Sequence, residues 1–255
     1  MIGLKYGDFD LQANGVTTTD TDLYSAPQNA VQADDLAEAD GSLIVQQRYK
    51  SKTFTITGRL RTDTVALTDQ LIDTFKIAMS RKNQAFDIDY AGGIRRYLAT
   101  AQNIIITRAN GMTTAAFSVE FLSPDGMGWD LSSTALLTPT GISTATSTLL
   151  ITVGGSYQSE PLIIATINTV TGGTGGSITV SNNVTLRGLT ITRTWANGDV
   201  IEIDSSRKTL YVNDLPTEFI GQFPKWDVGP GGIGWLDDFT TRDVTLQASH
   251  TQRWL

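Results

Sequence analysis

Two strand-like segments each place a pair of carboxylates two residues apart: Asp87 and Asp89 in Ala85-Phe-Asp-Ile-Asp-Tyr90, and Glu202 and Asp204 in Val200-Ile-Glu-Ile-Asp204. Alternate residues of a strand share a face. Each pair could therefore hold a hard cation or flank a glycosidic bond in a hydrolase. The apolar residues between them, Phe86 and Ile88 in one case and Ile201 and Ile203 in the other, give a plainer reading, a solvated face backed by a buried one. The adjacent pairs Asp34-Asp35 and Asp237-Asp238 read as loop charges. The single histidine, His250, falls in the last strand-like segment, and no Gly-x-Ser-x-Gly elbow supplies a nucleophile for it. We therefore expect no catalytic residue.

Cofactor chemistry is similarly thin. There are no cysteines, which excludes disulfides, thiolate nucleophiles and cysteine-ligated metals. The glycine-rich runs Gly172-Gly-Thr-Gly-Gly176 and Gly229-Pro-Gly-Gly-Ile-Gly234 could suggest phosphate cradles. A phosphate loop, however, needs a following helix and usually a Lys-Ser/Thr pair. Strand-like sequence follows both, so both are expected to be turns, with no cofactor or metal. Of the five tryptophans, Trp226 and Trp235 flank the second glycine run. An exposed indole can stack on a sugar ring, which makes these two the candidate sugar or partner contacts; the alternative is that they plug the end of a sandwich.

The elements that would carry these residues are mostly strands. One helix is expected over residues 64–81, where Leu67, Leu71, Phe75, Ala78 and Met79 recur at spacings of three and four. Asp63 or Thr64 can cap it, and Arg81-Lys82 suits its negative end. Strands are expected at Thr53–Leu60, Ala85–Tyr90 (ending at a Gly92-Gly93 turn), Arg95–Arg108 and Thr114–Leu122. Pro124, Gly126 and Gly128 punctuate residues 123–133 and mark a domain boundary, with domains at 1–130 and 131–255. Beyond Leu136 the pattern is short strands separated by Gly-Gly, Asn-Asn and Asn-Gly turns, as in a sandwich or jelly roll. Residues 14–42 show little alternation and read as a long irregular arm. The fold class is thus mainly β, an N-terminal α+β domain (a sandwich or split barrel with one helix) followed by a β-sandwich.

Composition narrows the partners. Charged residues are only 18% of the 255 residues and the formal charge is −7. An acidic chain without a basic stripe is a poor nucleic-acid binder. No apolar run approaches the ~18 residues of a membrane span, and the N-terminus lacks the features of a signal peptide. A soluble chain made in a reducing cytoplasm is expected.

Taken in order, these segments resemble the distal tail proteins of long-tailed phages. The strand Thr53–Leu60, the helix, Phe86-Asp-Ile-Asp-Tyr90 and the two strands closing on Phe121-Leu-Ser-Pro124 resemble that family's N-terminal domain. Asn197–Asp204, Arg207–Asn213, Phe223-Pro-Lys-Trp226 and Gly229-Pro-Gly-Gly-Ile233 resemble its galectin-like C-terminal sandwich, although Gly232 stands where Asn is common. The resemblance implies a non-enzymatic virion protein of the tail tip, made in the host cytoplasm. It would form a ring, commonly a hexamer, that joins the tail tube to the tip or baseplate and continues the DNA channel. Its partners would be itself, the tail tube protein and tip or baseplate proteins, with the tape-measure protein as a further candidate. For subunit contacts the candidates are Thr53, Thr55 and Thr57 on an edge-like strand, Arg95 and Arg96 in the Ala91–Arg96 turn, and the 14–42 arm. The alternative function is a carbohydrate-binding module for host attachment.

Overall fold

The computed structural model describes residues 3–35, 40, 42–90 and 93–255. Two compact units are present, Met1–Leu131 with Leu255, and Ser132–Trp254.

The first unit contains β1 (Leu4–Tyr6), β2 (Phe9–Asp10), β3 (Val16–Thr21), β4 (Asn29–Asp35), β5 (Ser42–Tyr49), β6 (Lys52–Arg61), α1 (Val65–Met79), β7 (Gln84–Tyr90), β8 (Gly93–Thr107), β9 (Thr114–Ser123) and β10 (Gly128–Asp130). Its main sheet runs β2-β1-β7-β8-β9-β6-β3, with β10 also on β8. The long strand β8 turns a corner: residues 93–99 pair with β7 and residues 100–107 with β9, with a register irregularity between Ala101 and Asn103. Bulges of this kind bend a strand, so one sheet folds over its own core. The core is aromatic. Phe54, Phe86 and Phe121 lie 5.2–5.3 Å apart by centroid, Tyr6 meets Phe121 at 5.0 Å and Phe75 of α1 meets Phe117 at 4.8 Å. Offset and edge contacts at such distances are the arrangements ring quadrupoles favour.

Thr64 caps α1, its Oγ1 accepting from the Leu67 N–H at 3.2 Å. The buried stripe is shifted from the expected one. Phe75, Ala78 and Met79 are buried, but Leu67 is 47% exposed and Thr68 is fully buried in its place. Thr68 satisfies its hydroxyl on the Thr64 carbonyl and the Thr62 hydroxyl, at 3.0 and 2.8 Å. A threonine with two local oxygens can be buried without loss, and apolar spacing alone does not reveal this.

Residues 14–42 are not an irregular arm in the part that is described. They hold β3, which pairs with β6, and β4, which pairs with β5 as a separate two-stranded hairpin. Residues 36–39 and 41 of that span lie outside the described residues.

The second unit is a sandwich. One sheet orders β11 (Thr134–Ile142), β21 (Thr241–His250), β13 (Leu162–Thr171), β16 (Val200–Asp204), β17 (Thr209–Val212) and β18 (Leu215–Pro216). The other orders β12 (Thr146–Val153), β20 (Gly229–Asp237), β14 (Gly176–Asn182), β15 (Gly188–Arg193) and β19 (Ile220–Gly221). Alternate residues of each strand enter a common core, among them Ile163, Ile167, Ile201, Ile203, Val244 and Leu246 facing Ile151, Ile178, Val180, Ile191 and Ile233. The mainly β class thus holds in both units, with the one described helix in the first.

The run Gly229–Gly234 is a strand rather than the expected turn. It belongs to β20, which lies between β12 and β14. A Cβ at Gly232 would lie 2.8 Å from Thr148 Cγ2 and 2.9 Å from Asn183, and one at Gly234 would lie 2.8 Å from Ser181 Oγ. The glycines let side chains of neighbouring segments close over the strand, the close-approach use of strand glycine.

Candidate assembly interface

The sequence candidates separate into residues used inside the chain and residues that face outward. Strand β6 alternates Phe54, Ile56 and Leu60 inward with Thr53, Thr55 and Thr57 outward. It is not a sheet edge, because β9 pairs along its whole length and β3 covers Ile56 to Leu60 on the other side. Ahead of β3's cover, the Asp22 carboxylate takes the Thr55 N–H at 2.6 Å. The edge-like character expected of this strand is therefore corrected. The segment that hides its edge is β3, from the stretch read as irregular.

The outward side chains nonetheless form a coherent surface. Cross-strand register sets Thr55 beside Glu120 and Asn103, and Thr57 beside Ser118 and Ile105. The result is a short-chained, threonine- and serine-rich sheet face with Ile105 53% exposed on it.

Arg96 and Arg95 differ. Arg96 grips Asp87 of the neighbouring strand through Nε and Nη2, both at 2.7 Å. Bidentate guanidinium–carboxylate pairing is the strong form of this contact, and it holds the Arg96 pKa above its ordinary value. The same pairing commits Asp87, so the Asp87–Asp89 pair is not two waiting carboxylates. Arg95 lies over the Tyr90 ring, 3.8 Å from the centroid, and Tyr90 meets Tyr24 at 5.6 Å. Ala91 and Gly92 of the predicted turn lie outside the described residues.

The hairpin β4–β5 is the most exposed element of the unit. Among the described residues it pairs with no other strand, and Val31, Leu43, Ile44 and Val45 are 52–61% exposed. Its base is closed by the Lys50 N–H, which donates to the Gln28 carbonyl at 2.8 Å; the next strand starts at Lys52, only 3% exposed, whose ammonium donates to the Leu23 carbonyl and lies 5.0 Å from the centre of the Tyr97 ring. Burial lowers the Lys52 pKa to about 8, with Asp22 opposing the shift.

A cleft of about 920 Å³ opens between α1 and the end of β8. Ile72, Ile104 and Ile106 line it together with Asp69, Asp73, Lys76 and Arg108. Arg108 binds Asp69 at 2.7 Å and Lys76 lies 3.6 Å from Asp73.

In the second unit, Trp226 and Trp235 are 2% and 1% exposed. Their indole N–H groups donate inward, to the Gly232 carbonyl at 2.9 Å and to the Asp237 carboxylate at 2.7 Å. Neither ring has a face open for a sugar, so the stacking role expected of them is corrected to one of core packing. Asp237, read as a loop charge, has a buried side chain that also binds Arg242 Nε at 2.7 Å and the Phe239 N–H at 3.0 Å. Ser159 Oγ and His250 Nδ1 meet at 2.9 Å, a pairing that 91 residues of separation hid from sequence reading. Both side chains are buried, at 2% and 5% exposure. Among the described residues no cluster of three acidic or histidine side chains is placed to hold a metal, and no described helix is long and apolar enough to cross a membrane.

No protein-family model matches this sequence, and no curated protein matches it. Solved structures do. The SPP1 Dit (gp 19.1) protein, described as a paradigm of the hub adsorption apparatus in Gram-positive infecting phages, aligns over 100% of both chains with a TM-score of 0.68 at 13% identity. Chains of the phage P2 baseplate in its activated conformation, with Ca and with Sr, align over 99% of this chain and 98% of theirs, with a TM-score of 0.47 and 8% identity in each case. The fold of this chain, across both units, is that of the SPP1 Dit hub protein.

Proposed function

We propose that the chain is a structural protein of a phage tail tip. Copies of it would close into a ring, six by the family resemblance, joining the tail tube to the tip or baseplate and continuing the DNA channel. The observation that carries this reading is the fold match to a hub protein along the whole of both chains. The N-terminal unit supplies outward features suited to self-association, namely the exposed hairpin, the threonine-rich face and Arg95. Head-to-tail contact between different patches of identical chains is what closes a ring. The tail tube, tip and tape-measure proteins are the partners the reading entails.

Native mass spectrometry of the purified chain tests it, with negative-stain imaging of any large species. Closed rings of about six copies with a central hole are expected. Folded protein that stays monomeric at high concentration, and also in the presence of tail tube protein, would remove the ring reading.

A further inference from the structure

The two sheets of the second unit have four edges, and an unguarded edge presents a row of backbone N–H and C=O groups to any further strand. Three of the four are guarded. β18 and β19 are two residues long, and β18 includes Pro216. β11 carries Pro139 and two register irregularities against β21. Short strands, proline and bulges all blunt an edge. The fourth edge, β12, has none of them. Its eight residues, Thr146-Ser-Thr-Leu-Leu-Ile-Thr-Val153, run in unbroken register with β20, and among the described residues no strand pairs on the other side. Charge does not guard it either. No charged residue occurs from Leu131 to Ser159, in a chain that is 18% charged. At the middle of the strand Leu150 is 81% exposed.

The strand is also complementary to itself. Its first residue is engaged locally, because the Thr144 hydroxyl donates to the Thr146 carbonyl at 3.0 Å and lies 2.7 Å from the Ser147 hydroxyl. That leaves Ser147–Val153, with Leu150 at its midpoint. Antiparallel pairing of two copies about Leu150 sets Leu150 against Leu150 and Thr148 against Thr152 on the outer face, where all three side chains are exposed. On the inner face it sets Leu149 against Ile151 and Ser147 against Val153. There it covers Leu149, which packs on the core but is only partly buried. Residues opposed in this register share a face, as cross-strand pairing requires, and no like charges meet.

We propose that β12 is a two-fold docking edge, to which a second copy of this chain adds its own β12, antiparallel about Leu150. The five-stranded sheet then runs on from one copy into the other. An isologous contact of this kind does not close a single ring of head-to-tail subunits. It is therefore separate from the ring reading, and joins two free chains or two rings.

Disulfide trapping in the full chain tests the edge and its register, since the sequence has no cysteine of its own. Opposed Cα atoms in an antiparallel pair are ~4.5–5.5 Å apart, within disulfide reach. Under mild oxidation Leu150→Cys should form a covalent dimer at least tenfold faster than Thr152→Cys, whose two copies stand four residues out of register, about 13 Å along the strand. Thr148→Cys mixed with Thr152→Cys should give mostly the mixed dimer. Equal rates for Leu150→Cys and Thr152→Cys would overturn the proposal, and so would homodimers of Thr148→Cys in excess over the mixed species. Sedimentation velocity gives a readout without cysteine. Leu150→Lys sets two ammonium groups face to face on the two-fold axis and should lower the dimer fraction several-fold at equal concentration, with unchanged melting. A dimer fraction equal to that of the parent chain would overturn the pairing, whether or not rings form.

Discussion

At the residue scale, a few side chains decide between chemistry and structure. Trp226 and Trp235 looked like ligand contacts by type and position, yet both donate their N–H groups into the core. Trp226→Ala should cost about 3–5 kcal/mol of stability in the second unit, read by chemical denaturation, and should leave no sugar-binding signal to lose. Lys52 makes a prediction about pH. Its folded pKa of about 8 lies below the ~10.4 of an unfolded lysine, so between these values the unfolded chain binds more protons. The group's contribution therefore favours folding increasingly as pH rises from about 8 to 10. Lys52→Met should flatten that rise in urea titrations between pH 7.5 and 9.5. Tyr97 works the other way, since burial raises its pKa. Its contribution is lost only above the ordinary tyrosine value of ~10, outside that window. Arg95→Glu and Arg96→Glu should separate assembly from folding. The first should reduce oligomer in native mass spectrometry and, through loss of the contact with the Tyr90 ring, lower melting only modestly, whereas the second should lower the melting temperature more, because it breaks the pair with Asp87.

At the element scale, β6 and the hairpin carry the testable consequences. Gly58 sits on β6 where a Cβ would fall on the Thr17 carbonyl and the Phe117 ring. Gly58→Ala should therefore destabilise the first unit by about 1–3 kcal/mol, and no compensating gain in strand propensity should rescue it. The β6 alternation was legible because period two is a local property of the sequence. That β6 is an interior strand was not, because its cover comes from Val16–Thr21, whose polar residues give no alternating signal. The glycine strand β20 escapes sequence reading for a related reason: Gly229-Pro-Gly-Gly has the composition of a turn, and only its backbone pairing with β12 and β14, distant in sequence, makes it a strand. Replacing the β4–β5 hairpin by a short linker should abolish rings while leaving the melting of both units nearly unchanged, because among the described residues the hairpin pairs with no other strand.

At the scale of the whole molecule, the order of the elements says more than any side chain. A one-helix α+β unit followed by an all-strand unit was readable from periodicity, since helix and strand repeats differ by local geometry alone. The mainly β class, a helix cap at Asp63 or Thr64, the inward sides of β6 and β9 and the resemblance to tail hub proteins all came from residues near one another in the chain. Tertiary structure decided what depends on distant residues meeting: the Ser159–His250 contact, the commitment of Asp87 to Arg96, the burial of Asp237 and the two tryptophans, the pairing of β3 on β6, and the cleft between α1 and β8. The physical reason is that hydrophobic period records which face a segment turns inward. It does not record which other segment, tens of residues away, supplies the partner that satisfies a buried polar group or covers an edge.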